Sequence, residues 1–399
     1  YDVEYLIYNN EIPINEIITK KVINDIGKDK FWNNTVNNSI NLLKRANVNY
    51  EFISINKKNI ENDLRNLKVL NDILSFKKDG INFGKIVKGN MYRYYKSLTF
   101  GDDAFEISKK MLFTALVNYY QIKEKTNKNE YEYVMFSHGI YVTWEPVSEF
   151  CKLNSIDFIA YDRAKTKNTI NINYNQVAPD WSFENAWERY RDIDLKEKEK
   201  EKVNLYLKER ELQKNDVYAY NFSKRSKDLI ELKHHLGIPL NAKVVTIFTN
   251  LIWDAANVSR DLAFKNPLEC LIQTIDFFKN DKDVHILLRS HPAESVLGTQ
   301  EKYGTLIRDH FENNLPNNFT IIEPELSINS FSVIDISDIG IVNTSTVGLE
   351  FAMLKKPIIL ISETHYRNKG FTYDVTSKDE YFKTLKDLLN DQKKLPRQV

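Results

Sequence analysis

The 399 residues include only two cysteines, Cys151 and Cys270. They lie far apart in apolar, helix-like segments. The sequence therefore predicts reduced core residues and no disulfide framework, as in a cytoplasmic protein. Glycine is scarce as well, 12 in all, and none falls in a GxGxxG, GxxxxGKS or GxxxxGKT spacing. This argues against the nicotinamide-type dinucleotide fingerprint and the phosphate loop. Charge of one sign is lacking too: 56 Lys and Arg against 55 Asp and Glu leave +1. Such a balance provides no field for nucleic acid or an anionic membrane. No apolar run reaches the roughly 18 residues a membrane-spanning helix needs. Metal-ligand spacing is also wanting. His234-His235 are adjacent, Asp281-Lys282-Asp283 reads as a helix-to-strand turn, and Asp192-Ile193-Asp194 lies in a connector. None follows a strand, so no metal is expected. The chain opens on Tyr1 and not on Met, as expected for a segment of a longer protein, and a targeting segment is left open.

What is present is apolar and periodic. With 42% hydrophobic and 12% aromatic residues, the chain has material for two cores, and its length favours two domains. In the first half, apolar runs at 3–8 and 50–55 read as strands around a helix at 31–46. A stripe of Ile60, Leu64, Leu67, Leu70 and Ile73 predicts one helix over 57–76. An aromatic, basic patch follows at 91–96 (MYRYYK), read mainly as packing with carbohydrate contact as the rival. A helix is expected over 102–123, then strand 131–137, helix 143–153 and strand 156–161. That βαβ unit puts His138 and Asp162 at its ligand end. His138, with its near-neutral intrinsic pKa, and Asp162 are the candidate catalytic bases, with Glu145 as a rival. Residues 165–215 lose the rhythm: a polar run at 169–174, Trp181 and Trp187, and a charged stretch at 194–211 that reads as a solvated helix. The expected domains are 1–205, an acceptor-side α/β domain plus connector, and 206–399, a nucleotide-binding Rossmann-like domain.

The second half alternates strand and helix five times, with polar residues at each strand's end. The chain is organised around two such ends. Residues 289–294 (RSHPAE) follow the strand at 284–288, and residues 343–350 (NTSTVGLE) follow the strand at 339–342. Arg289 and His291, two residues apart, can both face a phosphate, and Pro292 suits a sharp turn or helix start. Asn343, Thr344, Ser345 and Thr346 set four polar side chains before a helix whose free amides suit an anion. Glu350, one turn inside, is a candidate acceptor from ribose hydroxyls. Thr249 and Asn250 end the first strand of this domain, and Glu323 ends the strand whose backbone is expected near a base. Arg367 and Lys369 could add positive charge.

These segments, RSHPAE, PNNFTIIEPELSINSF, NTSTVGLEFAMLKKPIIL and HYRNKGFTYDV, resemble bacterial capsule and surface-polysaccharide glycosyltransferases. SHGIYVTWEPVSEFCKLNSIDFIAYDR and FTNLIWDAAN resemble the same group, so the likeness covers roughly residues 131–376. It implies a GT-B-like α/β fold of two Rossmann-like, doubly wound domains facing across a cleft, and a metal-independent glycosyltransferase with no cofactor. The His-Pro and Ser/Thr pair is similar to that of sialyl- and Kdo-type transferases using CMP-activated sugars. That assigns His291, Pro292, Ser345 and Thr346 to nucleotide phosphate contact. The Asp/Glu-Asp/Glu-Gly motif of such enzymes has no counterpart, since Asp102-Asp103 is preceded and not followed by glycine. Expected partners are a nucleotide-sugar donor and a glycan acceptor, with peripheral association to membrane-bound assembly machinery at the inner face of the membrane. Two alternatives are transfer of a polyol phosphate from a CDP-linked donor, and a catalytically silent nucleotide-sugar-binding module.

Overall fold

A computed structural model describes residues 3–8, 11–18, 20–164, 167–180, 182–212, 223–255 and 258–391. Trp181 and part of the connector therefore lie outside the described residues. The chain divides into two compact units. The first comprises Tyr1–Arg163, Ile170–Pro179 and Trp253–Ala256; the second comprises Ala164–Thr169, Asp180–Ile252 and Asn257–Val399.

The first unit has strands β1 (Glu4–Ile7), β2 (Asn49–Phe52), β3 (Val134–Ser137), β4 (Phe158–Arg163) and β5 (Ile170–Tyr174). β1 and β2 pair in parallel, as do β3 and β4, while β5 returns antiparallel on β4. The polar run at 169–174 is thus a strand. Its exposed Ile170, Ile172 and Tyr174 alternate with half-buried Asn171 and Asn173, which hid the β period from a hydropathy reading. The main core is helical. The 25-residue helix Ala104–Lys128 buries Met111, Leu112, Leu116 and Tyr119 in a cluster shared with Phe83–Tyr95 and Tyr141–Leu153. The single helix expected over 57–76 is instead two, Lys57–Leu64 and Leu70–Leu74. Val69 is extended, and the Asp72 carboxylate accepts from the amides of Lys68 and Val69, restarting the helix. Both halves still bury their stripe residues, Ile60, Leu64 and Ile73.

The second unit is one parallel sheet of β6 (Lys243–Phe248), β7 (Val284–Arg289), β8 (Phe319–Ile322), β9 (Ile339–Val342), β10 (Ile358–Leu360) and β11 (Tyr373–Asp374). The spatial order is β11-β10-β9-β6-β7-β8. Renumbered from β6, that is the 3-2-1-4-5-6 order of a doubly wound nucleotide-binding sheet. Its central strands β7, β9 and β10 are buried on both faces. Val245, Ile247, Ile286, Leu288, Ile341 and Ile359 face one cluster, with helices Pro267–Phe278, Tyr303–His310 and Lys378–Leu389. Val244, Phe248, Leu287, Val342, Ile358 and Leu360 face the other, with Leu229–His235, Ser330–Ile336 and Val347–Met353. The two-unit α/β architecture with parallel sheets agrees with the GT-B-like expectation. Residues 180–205, expected with the first domain, group with the second unit. Asp180 pairs with Arg260, Glu184 with Lys369, and Trp187 packs edge-on against Phe371. Cys151 and Cys270 are buried free thiols, each pushed up to about 12 by burial. No helix of the described residues is long and apolar enough to cross a membrane.

Candidate functional site

In the second unit the strand order reverses between β6 and β9, the position where such sheets open a crevice at their carboxyl ends. The residues there are the candidates Thr249, Asn250, Asn343 and Thr344. Asn250 Oδ1 accepts the Thr344 amide at 3.4 Å, fastening the tip of β6 to that of β9. Thr249 holds β6 to β7, its amide and hydroxyl both donating to the Arg289 carbonyl at 3.2 and 3.3 Å. Asn343 is buried. Its Oδ1 accepts from Ser362, and its Nδ2 has no hydrogen-bond partner among the described residues. Next to His291, the fully buried Ser290 hydroxyl likewise has no partner among the described residues. Buried donors without partners are costly, and these two lie at the same carboxyl edge of the sheet.

His291 is set for one task. The Ala293 amide donates to its Nδ1 at 3.1 Å, so the ring proton sits on Nε2. Burial, then the neighbouring Arg289 charge, pushes its pKa down to about 4. It is thus a neutral donor at physiological pH. Pro292 has helical φ and ψ and caps the short helix Ala293–Val296. Ser345 Oγ accepts the Val347 amide at 3.3 Å, while Tyr366 Oη donates to the Ser345 carbonyl at 2.5 Å. Thr346 is the cap residue of helix Val347–Met353. A methyl at Gly348 would overlap the Tyr366 hydroxyl, so glycine here permits the bond that holds residues 344–346.

Other candidates are placed differently from expectation. Arg289 is 2% exposed, and its terminal nitrogens donate to the carbonyls of Glu323 and Ile328, each at 3.2 Å. It braces the loop after β8, and burial lowers its pKa to about 10. Glu323 pairs with Arg308. Glu350 is buried, and its Oε1 accepts from Arg210 Nε at 3.1 Å and Nη2 at 2.5 Å. Arg367 donates to the carbonyls of Leu360, Ser362 and Val375, and Lys369 pairs with Glu184. Both cations are structural. Glu294 is fully buried, and burial pushes its carboxyl up to about 8.

In the first unit, parallel pairing of β3 with β4 brings His138 and Asp162 together, Nε2 to Oδ1 at 3.0 Å. His138 Nδ1 meets Ser137 Oγ at 2.6 Å, so both ring nitrogens are engaged. Asp162 Oδ1 also accepts the Arg163 amide. The turn is unusual: His138, Gly139 and Tyr141 all have positive φ, at 55°, 79° and 73°. For histidine and tyrosine that conformation is costly, and such strain clusters at functional sites. Beside it lies Glu16, a residue without a sequence signal because its loop has no period. It is buried; Oε2 accepts from Thr143 Oγ1 at 2.5 Å, and Oε1 has no partner among the described residues. Burial raises its pKa. Glu145 is raised to about 7, also by burial, but its charged neighbours are Lys85, Glu149 and Lys152.

No protein-family model matches the chain, and no curated protein matches it by sequence. Among solved structures it is similar to Thermosulfurimonas dismutans KpsC, a beta Kdo 2,7 transferase, at 15% identity and a TM-score of 0.41, covering 65% of this chain and 74% of that one. It is similar to S. aureus MnaA in a co-structure with UDP, at 12% identity and a TM-score of 0.33, over 70% and 71%. The wall teichoic acid polymerase TagF is matched at 19% identity and a TM-score of 0.28, over 41% of this chain and 38% of the polymerase.

Proposed function

We propose that the chain is a glycosyltransferase that moves a sugar from a nucleotide-activated donor, CMP-linked in the preferred reading, to a bacterial cell-surface glycan. The observation that carries this is the carboxyl edge of β6, β7 and β9. There, at the switch point of a Rossmann-order sheet, stand His291 with its proton on Nε2 and the unpartnered donors of Ser290 and Asn343. Donors fixed before the reaction suit charge that develops on a departing phosphate. The sequence resemblance supports the same reading.

The donor phosphate would accept from His291 Nε2–H and from the backbone and hydroxyls around 344–346, with no metal required in this reading. Arg289 acts indirectly, as a positioning residue for the loop at 323–328. The bond from the anomeric carbon to the phosphate oxygen breaks, and a bond to an acceptor oxygen forms. The acceptor proton goes to Asp162 Oδ2, with His138 holding Oδ1 of the same carboxylate.

A panel of CMP-, CDP-, UDP- and GDP-linked donors, read first by thermal shift and then by product analysis, tests this. A CMP-linked sugar should raise the melting temperature by mass action and transfer its sugar alone. Transfer of a polyol together with its phosphate, or donor binding that never leads to turnover with a glycan acceptor, would contradict it.

A further inference from the structure

Two cations of the first unit have no acidic partner in contact among the described residues. Arg93 lies in the last turn of helix Phe83–Tyr95, and Lys96 caps that helix in the left-handed conformation. Both are partly buried. Arg93 Nε donates to the Glu16 carbonyl at 3.0 Å and Nη1 to Tyr141 Oη at 3.4 Å, with its guanidinium 5.2 Å from the Tyr141 ring centre. Lys96 Nζ stands 3.4 Å from the centre of the buried Trp253 ring. Among the described residues, neither makes an ion pair. Aromatic faces, one carbonyl and one hydroxyl are modest compensation for two half-buried positive charges. The strain is visible in Lys96, whose pKa falls to about 8 through burial and then the Arg93 charge, with Asp254 only partly opposing.

The same wall continues into the turn at 137–141. Tyr141, which meets Arg93, also stands edge-on to His138 at 6.4 Å between ring centres. Glu16, whose carbonyl holds Arg93, presents the unpartnered Oε1 and feels the charges of both Arg93 and His138. Two cations and a buried carboxyl group thus lie near the His138–Asp162 pair, within one unit.

We propose that Arg93 and Lys96 form an anion site that takes the carboxylate or phosphate of an acidic sugar in the glycan acceptor, with Glu16 Oε1 bonding a hydroxyl of the same sugar. This rests on the glycosyltransferase reading above, which gives the donor phosphate to the second unit and leaves an anion in the first to the acceptor. The two acid groups share one chemistry, and the probes separate them.

Ligand-observed NMR on the full chain, with glucuronate, glucose 6-phosphate and neutral glucose as probes, tests it; CMP is titrated in parallel. At least one acid should bind about tenfold or more tighter than glucose. Arg93→Ala and Lys96→Ala should each remove that preference while CMP affinity and the calorimetric unfolding transition of the first unit are kept. Equal binding of glucose and both acids, undiminished acid binding by both variants, or no acid binding by a chain that binds CMP would overturn the inference alone. Failure of the unaltered chain to bind CMP or any other nucleotide would overturn the parent reading instead.

Discussion

Glu294 illustrates what single residues at the sheet edge do to stability. Its carboxyl is fully buried; Lys302 and the Tyr303 amide ease its charge, whereas Glu323 and Glu325 oppose it. The folded pKa, about 8, lies above that of an unfolded glutamate. The folded state therefore prefers the neutral acid, and this contribution is complete below the unfolded pKa and lost as pH rises through about 8. Between about pH 5 and pH 9, the native chain should lose on the order of 3 kcal/mol that Glu294→Gln does not lose. Urea midpoints of both proteins at the two pH values measure this; parallel curves would contradict it. Legibility differed residue by residue. His291 and Ser345 could be singled out because polar side chains after a buried strand must meet the sheet edge. The fates of Arg289 and Glu350 could not, because a carbonyl after β8 and a guanidinium 140 residues away are tertiary partners with no local pattern. Glu16 left no trace, since its partner Thr143 is 127 residues distant.

At the scale of elements, two of the contacts that hold the turn at 343–350 can be tested by substitution. Gly348 gives room for Tyr366, whose hydroxyl fixes the Ser345 carbonyl. Gly348→Ala should destabilise by about 1–3 kcal/mol through overpacking and weaken nucleotide binding. Adding Tyr366→Phe should restore part of the stability but not the binding, as denaturation and titration of the two variants will show. The Arg210–Glu350 pair ties helix Glu197–Glu211 to helix Val347–Met353. Glu350→Ala takes the acidic partner from the half-buried Arg210 guanidinium and should cost about 1–3 kcal/mol, whereas Arg210→Met with Glu350→Leu should cost clearly less. Equal urea midpoints for single and double variants would refute that. Elements of strong apolar period, such as Ser330–Ile336 and Ile339–Val342, are bounded in the sequence as they are in the fold. The helix at 57–76 was over-read because its stripe runs across a break set by Asp72, a capping interaction that periodicity does not report.

At the scale of the whole molecule, the two units have separate hydrophobic clusters, Ile12 through Phe150 in the first and those lining the six-stranded sheet in the second. Calorimetric unfolding should resolve into two components, and Gly348→Ala should lower only one. The parallel sheet was legible because its strands are continuous apolar runs separated by helices. The strand order was not, yet it is this order that sets β6 beside β9 and gives Asn250 its bond to Thr344. The central claim is that this edge grips the donor nucleotide, and calorimetric titration of CMP into the intact chain tests it most directly. The account predicts one site per chain, weakened about tenfold or more by His291→Ala and by Ser345→Ala and left intact by Asp162→Asn. Equal affinity in the His291 and Ser345 variants, or no binding of CMP, CDP, UDP or GDP to the intact chain, would contradict it.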